Sequence, residues 1–288
     1  MKTKTQHATL SDVAREARVG TSTVSRVING GARVSPETLE RVRAVIRKFD
    51  YQPNLAARIL KGDLTKTIGL IIPSVADSFF AVCAEAAQEI ARAHGLLLIV
   101  TCSNNDPRVE MENLNTLIQH RVDGLLLAPA ASRNDELVQA LSRTSIPVVT
   151  FDRPIFDSSI PSVISGNYKG AKEATRHLIS HGYKRIVCMG MKGEDSLYTN
   201  KERIRGYRVA MQEANLTPKI DVSITSYESV VLALKAYLYG TNPPDAIFAL
   251  RNLVTIYKNS CSFHEVLSSP SEASVSAQYF FFRIHSPA

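Results

Sequence analysis

Apolar positions in the first fifty residues recur at helical spacing. Leu10, Val13, Ala14 and Ala17 form one set, with Thr9 placed to cap the helix and Asp12 in its first turn. Val24, Val27 and Ile28 form a second set, separated from the first by only Arg18-Val19-Gly20. Two short amphipathic helices joined so tightly make a helix-turn-helix pattern. Ser35-Pro36-Glu37 opens a third helix, combining a good cap, a proline fitted to the first turn and an acid at the positive end. Leu39, Val42, Val45 and Ile46 turn its apolar face inward.

From Thr67 the period changes. Short apolar runs alternate with amphipathic stretches. Strands are expected at 68–72, 96–101, 122–127 and 148–151, with helices near 78–93, 107–120 and 134–143 between them. The alternation restarts after Pro161: helices near 168–180, 201–215 and 228–239, strands at 185–189, 222–225 and 246–250. This predicts parallel sheets with helices on both faces, arranged as two α/β lobes. The expected segments are a helix-turn-helix domain (1–51), a link (52–63), a first lobe (64–160), a second lobe (161–257) and an atypical tail (258–288). Ligands of such sheets bind beyond the carboxyl ends of the strands.

Charge sharpens the picture. Residues 1–62 hold 12 Lys/Arg and 5 Asp/Glu, so the whole net charge of +7 lies in that segment and the remainder is balanced. A basic module on a neutral body is the electrostatic footprint of a nucleic-acid binder. A solvated basic surface without a partner is the alternative. The second helix offers Thr21, Ser22, Thr23, Ser25 and Arg26 near its start. A recognition helix puts such N-terminal residues against major-groove base edges. Arg reads guanine through two hydrogen bonds, and Ser and Thr contact bases or phosphates.

The rest narrows the class. Met1–Thr9 is polar and carries no apolar core of a secretory signal, and no apolar run is long enough to span a bilayer, so a cytoplasmic protein is expected. Cys83, Cys102, Cys188 and Cys261 are scattered without metal or disulfide spacing and read as reduced thiols. No G-x-S-x-G, phosphate loop, G-x-G-x-x-G or H-E-x-x-H occurs, so neither catalysis nor a cofactor nor a metal is expected.

Four linked motifs then resemble the lactose/galactose repressor (LacI/GalR-type) family. They are Thr9-Leu10-Ser11-Asp12-Val13-Ala14; Ser22-Thr23-Val24-Ser25-Arg26-Val27-Ile28-Asn29-Gly30; Val34-Ser35-Pro36-Glu37-Thr38; and Tyr51-Gln52-Pro53-Asn54 with Ala57-Arg58-Ile59-Leu60. The resemblance runs through about residue 257. It implies a DNA-binding transcriptional regulator, a repressor by type, working as a homodimer on a pseudo-palindromic double-stranded operator. Thr9, Asn29 and Tyr51 join the second-helix residues as implied DNA contacts. The stretch from Pro53 is implied to be a hinge helix, with Asn54 and Ala57 on it and Leu60 wedged into the minor groove; a linker helix with Leu60 packed on the body is the alternative.

The larger region is similar to the family's two-lobed, periplasmic-binding-protein-like domain, with a small, sugar-like effector held between the lobes. The implied contacts are Phe79, Phe80, Asp152, Leu197, Thr199, Arg203 and Tyr227. Phe79 and Phe80 read equally as core, and Asp152 as a cap on the lobe connection. Arg203 is the strongest polar candidate, because a guanidinium supplies paired donors. Competing readings are a sugar-binding protein without a DNA role and a truncated, inactive regulator.

The chain departs from the family pattern at several points. Arg18 and Gly20 stand where Gly and Ser are usual; Arg18 either costs stability or reaches a phosphate. Gly166-Asn167 and Arg251-Asn252 replace Asp-Asn and Asn-Asp, which puts the identity of the effector out of reach. After Tyr257 the resemblance stops. Lys258–Ala288 is rich in serine, lacks glycine and aspartate, holds the run Tyr279-Phe280-Phe281-Phe282, and shows no helical or strand period. A shifted reading frame or a divergent ending is expected there. With it come an incomplete second lobe, an unpaired sheet edge, exposed apolar surface and lowered stability.

Overall fold

A computed structural model describes residues 8–28, 30, 33–51, 64–250, 264–265 and 280–283, apart from the side chains of Glu194, Tyr227, Leu238 and the last two segments. The chain divides into two units, Met1–Thr65 and Lys66–Ala288.

Among its described residues the first unit has three helices: α1 (Leu10–Glu16), α2 (Thr21–Ile28) and α3 (Pro36–Lys48). Thr9 and Asp12 close a reciprocal capping box on α1, and Ser35 caps α3 with Pro36 in its first turn. Val13, Ala14, Ala17, Val24, Val27, Val42 and Val45 are buried together between the three helices. That core is small, so the caps and the tight turn carry a large share of the local order. Arg18, just past the end of α1, adopts φ 50°. The left-handed region at this position is the usual place for glycine, and a side chain there is strained.

The second unit contains two sheets. The first is built from β1 (Thr67–Ile72), α4 (Ser78–Ala93), β2 (Leu97–Cys102), α5 (Pro107–Gln119), β3 (Gly124–Leu127), α6 (Asp135–Ser142), β4 (Val148–Phe151) and β5 (Ser162–Val163). Its strand order is β2-β1-β3-β4-β5, parallel throughout. Leu70, Ile71 and Ile72 are at most 1% exposed, as expected for a strand covered on both faces. β5 was not anticipated, because two exposed residues carry no periodic signal; it extends the first sheet past residue 160.

The second sheet follows from α7 (Asn167–Ser180), β6 (Ile186–Met191), α8 (Tyr198–Glu213), β7 (Lys219–Ile224), α9 (Tyr227–Leu238) and β8 (Ala246–Ala249). β7, β6 and β8 run parallel, in the same relation as β2, β1 and β3. Among the described residues the lobe's parallel part therefore has three strands where the first lobe has five. β7 starts three residues earlier than expected, at a polar Lys219 whose N–H is held by the Tyr207 hydroxyl at 2.9 Å.

The tail corrects one expectation. β9 (His264–Glu265) and β10 (Phe280–Arg283) are strands, and β10 pairs antiparallel with β8, Phe281 opposite Phe248. The edge of β8 is thus paired, not open. A consecutive aromatic run has no alternation to announce a strand, yet its β-preference suffices once a neighbouring ladder offers free groups.

Candidate DNA interface and effector cleft

In the first unit, α2 buries Val24 and Val27 and leaves Thr21, Ser22 and Arg26 exposed along one side. The apolar period alone fixes this orientation, since the core takes positions 24 and 27 and the residues in opposite phase must face outward. Thr23 and Ser25 are half-buried flankers. Thr9 is exposed but its hydroxyl is engaged with Asp12, donating at 2.7 Å. Tyr51 packs partly against the helix core, and burial raises its phenol pKa. Asn29, Asn54, Ala57 and Leu60 lie outside the described residues.

In the second unit the chemistry gathers at the carboxyl ends of the first sheet's strands. Asp77, after β1, caps α4 by accepting from the Phe79 N–H at 3.0 Å. Phe80 is 4% exposed and packs edge-on against Phe79 and Phe151, so its ring belongs to the core, not to a stacking platform. Phe79 is half-buried beside it. Asp152 follows β4 with φ 64° and is almost wholly enclosed. Its carboxylate pairs with the Arg153 Nε at 3.2 Å. Burial raises the Asp152 pKa, opposed by the positive charges of Arg153 and Arg203.

Arg153 itself is 4% exposed. Its Nη1 donates to the Asn105 side chain at 2.7 Å and to the Pro129 carbonyl at 2.9 Å, and its guanidinium lies over the Phe80 ring at 6.0 Å. Glu110, in the first turn of α5, is fully buried. One of its oxygens accepts from the Ala130 N–H at 2.6 Å; the other, Oε2, is buried without a hydrogen-bond partner. Burial pushes the Glu110 carboxyl up to about 7, against the pull of the Ala130 N–H and Arg153.

The second lobe presents its own set. Leu197 is the N-cap residue of α8, half-buried, and Thr199 and Asn200 are buried in the first turn. Arg203, one turn further, donates from Nε to the Asn167 side chain at 2.8 Å and from Nη1 to the Leu250 carbonyl at 2.6 Å. These contacts tie the guanidinium to the start of α7 and the end of β8. Tyr227 is the first residue of α9, and its side chain is outside the described set. The lobes meet where Phe156, after β4, packs edge-on against Tyr198 with ring centroids 5.7 Å apart.

Sequence reading had not picked out Glu110 or Asn105 and gave Arg153 no role, and it noted Asn167 only within the altered Gly166-Asn167 pair. One signal was available. Glu110 stands in phase with buried Leu114 and Leu117 on α5, and an acid within an apolar stripe marks a buried charge.

Among the described residues, no group of three or more His, Cys, Asp or Glu could hold a metal ion, and no helix is long and apolar enough to cross a membrane.

A three-helix basic unit joined to a two-lobed parallel α/β body, with polar groups at the strand ends, defines a ligand-responsive regulator that binds DNA. The chain belongs to the LacI family of bacterial regulatory proteins. The family model for bacterial regulatory proteins of the lacI family matches residues 9–54. That for periplasmic binding proteins and the sugar binding domain of the LacI family matches residues 65–256. Catabolite control protein A of Staphylococcus epidermidis is 33% identical over 243 residues, 84% of this chain and 73% of the relative; that of Staphylococcus xylosus is 34% identical over the same shares. Among solved structures, the Lac repressor dimer bound to operator and the anti-inducer ONPF superposes with a TM-score of 0.75 at 22% identity, covering 88% of this chain and 78% of that one. The transcriptional regulator CelR in complex with cellobiose gives 0.56 at 27%, covering 90% and 80%.

Proposed function

We propose that this chain is a transcriptional repressor whose hold on a pseudo-palindromic operator is set by a sugar-like effector seated between the two lobes. The observation that carries the reading is the pairing of an exposed Thr21-Ser22-Arg26 edge on α2 with a buried, polar strand-end cluster in a separate unit. The first supplies base-edge donors and acceptors. The second supplies paired donors and a carboxylate for hydroxyl groups. Asp152, Leu197, Thr199 and Arg203 are assigned to the effector, with Phe79 at the margin and Tyr227 in sequence position only. Thr9, Asn29, Tyr51, Asn54, Ala57 and Leu60 are assigned to the operator alongside the α2 residues, Leu60 as the minor-groove wedge. The chain works at the chromosome, which places it in the cytoplasm, and it carries out no chemistry of its own.

A second copy is required to read both half-sites. On the first lobe, Val82 and Ile90 of α4 and Leu97 and Val100 of the edge strand β2 are between 39% and 64% exposed. So much apolar side chain beside a strand that ends the sheet among the described residues suits a protein partner, and the homodimer contact is assigned there.

The test is duplex binding by the purified full chain across a salt series. A repressor loses affinity steeply with salt and prefers a selected operator over bulk DNA. Salt-independent or absent binding by folded protein overturns the reading.

A further inference from the structure

Two histidines stand one turn apart at the carboxyl end of α7. His177 lies in the last turn and His181 is the C-cap residue. Their rings lie together, with centroids 4.3 Å apart and planes tilted by 55°. Side chains four residues apart share one face of a helix, so the backbone itself brings these two into reach of one another. His177 is half-buried and His181 is exposed.

The state of the rings is fixed locally. The His181 Nδ1 lies 2.9 Å from the His177 carbonyl oxygen. A carbonyl only accepts, so Nδ1 carries the proton and Nε2 keeps its lone pair. Metal-binding imidazoles are commonly oriented in this way, by giving the other ring N–H to a backbone carbonyl. Burial, and then the neighbouring His181, hold the His177 pKa below its ordinary value, so this ring too has a lone pair to offer at neutral pH.

The surroundings suit a cation. The last carbonyls of a helix carry partial negative charge. Glu173, a further turn back on the same face, pairs with Lys169 at 3.8 Å. The basic side chains nearest on α7, Lys172 and Arg176, are both paired with Glu213 of α8, at 2.7 Å and 2.8 Å. Their charge is thereby answered from the neighbouring helix.

We propose that His177 and His181 form a two-histidine chelate for a divalent transition metal of the Zn2+, Ni2+ or Cu2+ class, with water completing the coordination. Imidazole nitrogen suits these ions, whereas Mg2+ and Ca2+ take oxygen ligands. Two histidines at the same spacing on one helix hold zinc in the H-E-x-x-H motif. With only two protein ligands the metal exchanges readily and does not serve as a closed structural site. The helix rise puts about 20 Å between His181 and Asn167 at the other end of α7. The site is therefore separate from the effector cleft, and its test needs neither effector nor DNA.

The purified full chain is titrated with NiCl2 by calorimetry, in a non-coordinating buffer at neutral pH. His177→Gln and His181→Gln should each weaken the affinity at least about tenfold, because removing either ligand abolishes the chelate. His94→Gln should leave it unchanged. His94 is held to the Ile90 carbonyl in the same manner but has no second histidine within four residues. An affinity that neither substitution alters, an equal loss in His94→Gln, or no binding up to millimolar Ni2+ overturns the proposal and leaves the ring pair as packing only. Should a variant fail to fold, modification by diethylpyrocarbonate is mapped in the unaltered chain with and without Ni2+. Protection of His177 and His181 together, and not of exposed His94 or His120, is expected. Equal modification in both samples defeats the idea.

Discussion

Gly206 on α8 crosses the start of α7 so closely that a methyl group on it would stand 2.3 Å from the Tyr168 carbonyl oxygen and 2.9 Å from the Lys172 nitrogen. Both neighbours are backbone atoms of a helix and cannot step aside. Gly206→Ala should therefore part the two helices and expose the core that Ala171 and Tyr207 share. A loss of more than about 3 kcal/mol is expected, as for severe overpacking, read as a lower urea midpoint for the second unit. A near-neutral change would mean that the helices do not cross at this glycine.

Arg18→Gly should stabilise the first unit by about 0.5–1 kcal/mol. It removes the cost of a side chain at φ 50°, offset by the freedom glycine adds to the unfolded chain. Thermal unfolding of the purified full chain, followed by helix signal, measures it. The two readings of Arg18 separate in the same variant. If the guanidinium also reaches a phosphate, duplex affinity falls and the salt slope becomes shallower; if it does not, affinity is unchanged.

The Tyr207 hydroxyl is buried, donating to the Ile186 carbonyl at 2.7 Å and accepting from the Lys219 N–H. Tyr207→Phe keeps the ring stacked on Phe248 and strands the β7 N–H. A cost of about 1–3 kcal/mol is expected. Faster hydrogen exchange at the Lys219 amide would locate the effect.

Glu110 makes stability depend on pH with a defined sign. Its folded carboxyl titrates at about 7 against an ordinary 4.5, so folding favours the protonated form. That contribution is complete below pH 4.5, declines as the pH rises, and is gone above about 7.5. The gap corresponds to about 3 kcal/mol. The chain should lose that amount relative to Glu110→Gln between pH 4.5 and 7.5 in denaturant melts. Parallel stability curves for the two proteins would contradict it. Asp106 and Glu213, whose carboxyls are held low by nearby basic side chains, act in the opposite direction at more acid pH in both proteins alike.

Arg26→Ala should mainly remove the preference for operator over bulk duplex, because its exposed side chain is proposed to read base edges. Lys61→Ala should weaken all duplexes alike and reduce the salt slope by about one. Fluorescence anisotropy at several salt concentrations distinguishes the two. Equal loss on every duplex from Arg26→Ala would reassign it to the phosphates.

The linear sequence determined the helix positions of the first unit, the outward edge of α2 and the alternation of strands and helices up to Leu250. Each of these rests on local periodicity or a local cap, as at Thr9, Ser35 and the Val24–Val27 pair, and needs no distant partner. The basic charge of residues 1–62 was likewise a matter of counting. Tertiary structure decided the rest. Phe79 and Phe80 carry the same local signal, yet the contact with Phe151 puts Phe80 in the core. Asp152 read as a cap or a ligand group, and only folding brings Arg153 and Arg203 to bear on it. β10 became a strand because β8 presented an edge, a cause lying more than thirty residues away. Glu110 shows the division most plainly. Its place in the stripe with Leu114 and Leu117 is legible, but its burial beside Arg153 depends on three chain segments meeting, and the cost of enclosing a charge exists only once they have met.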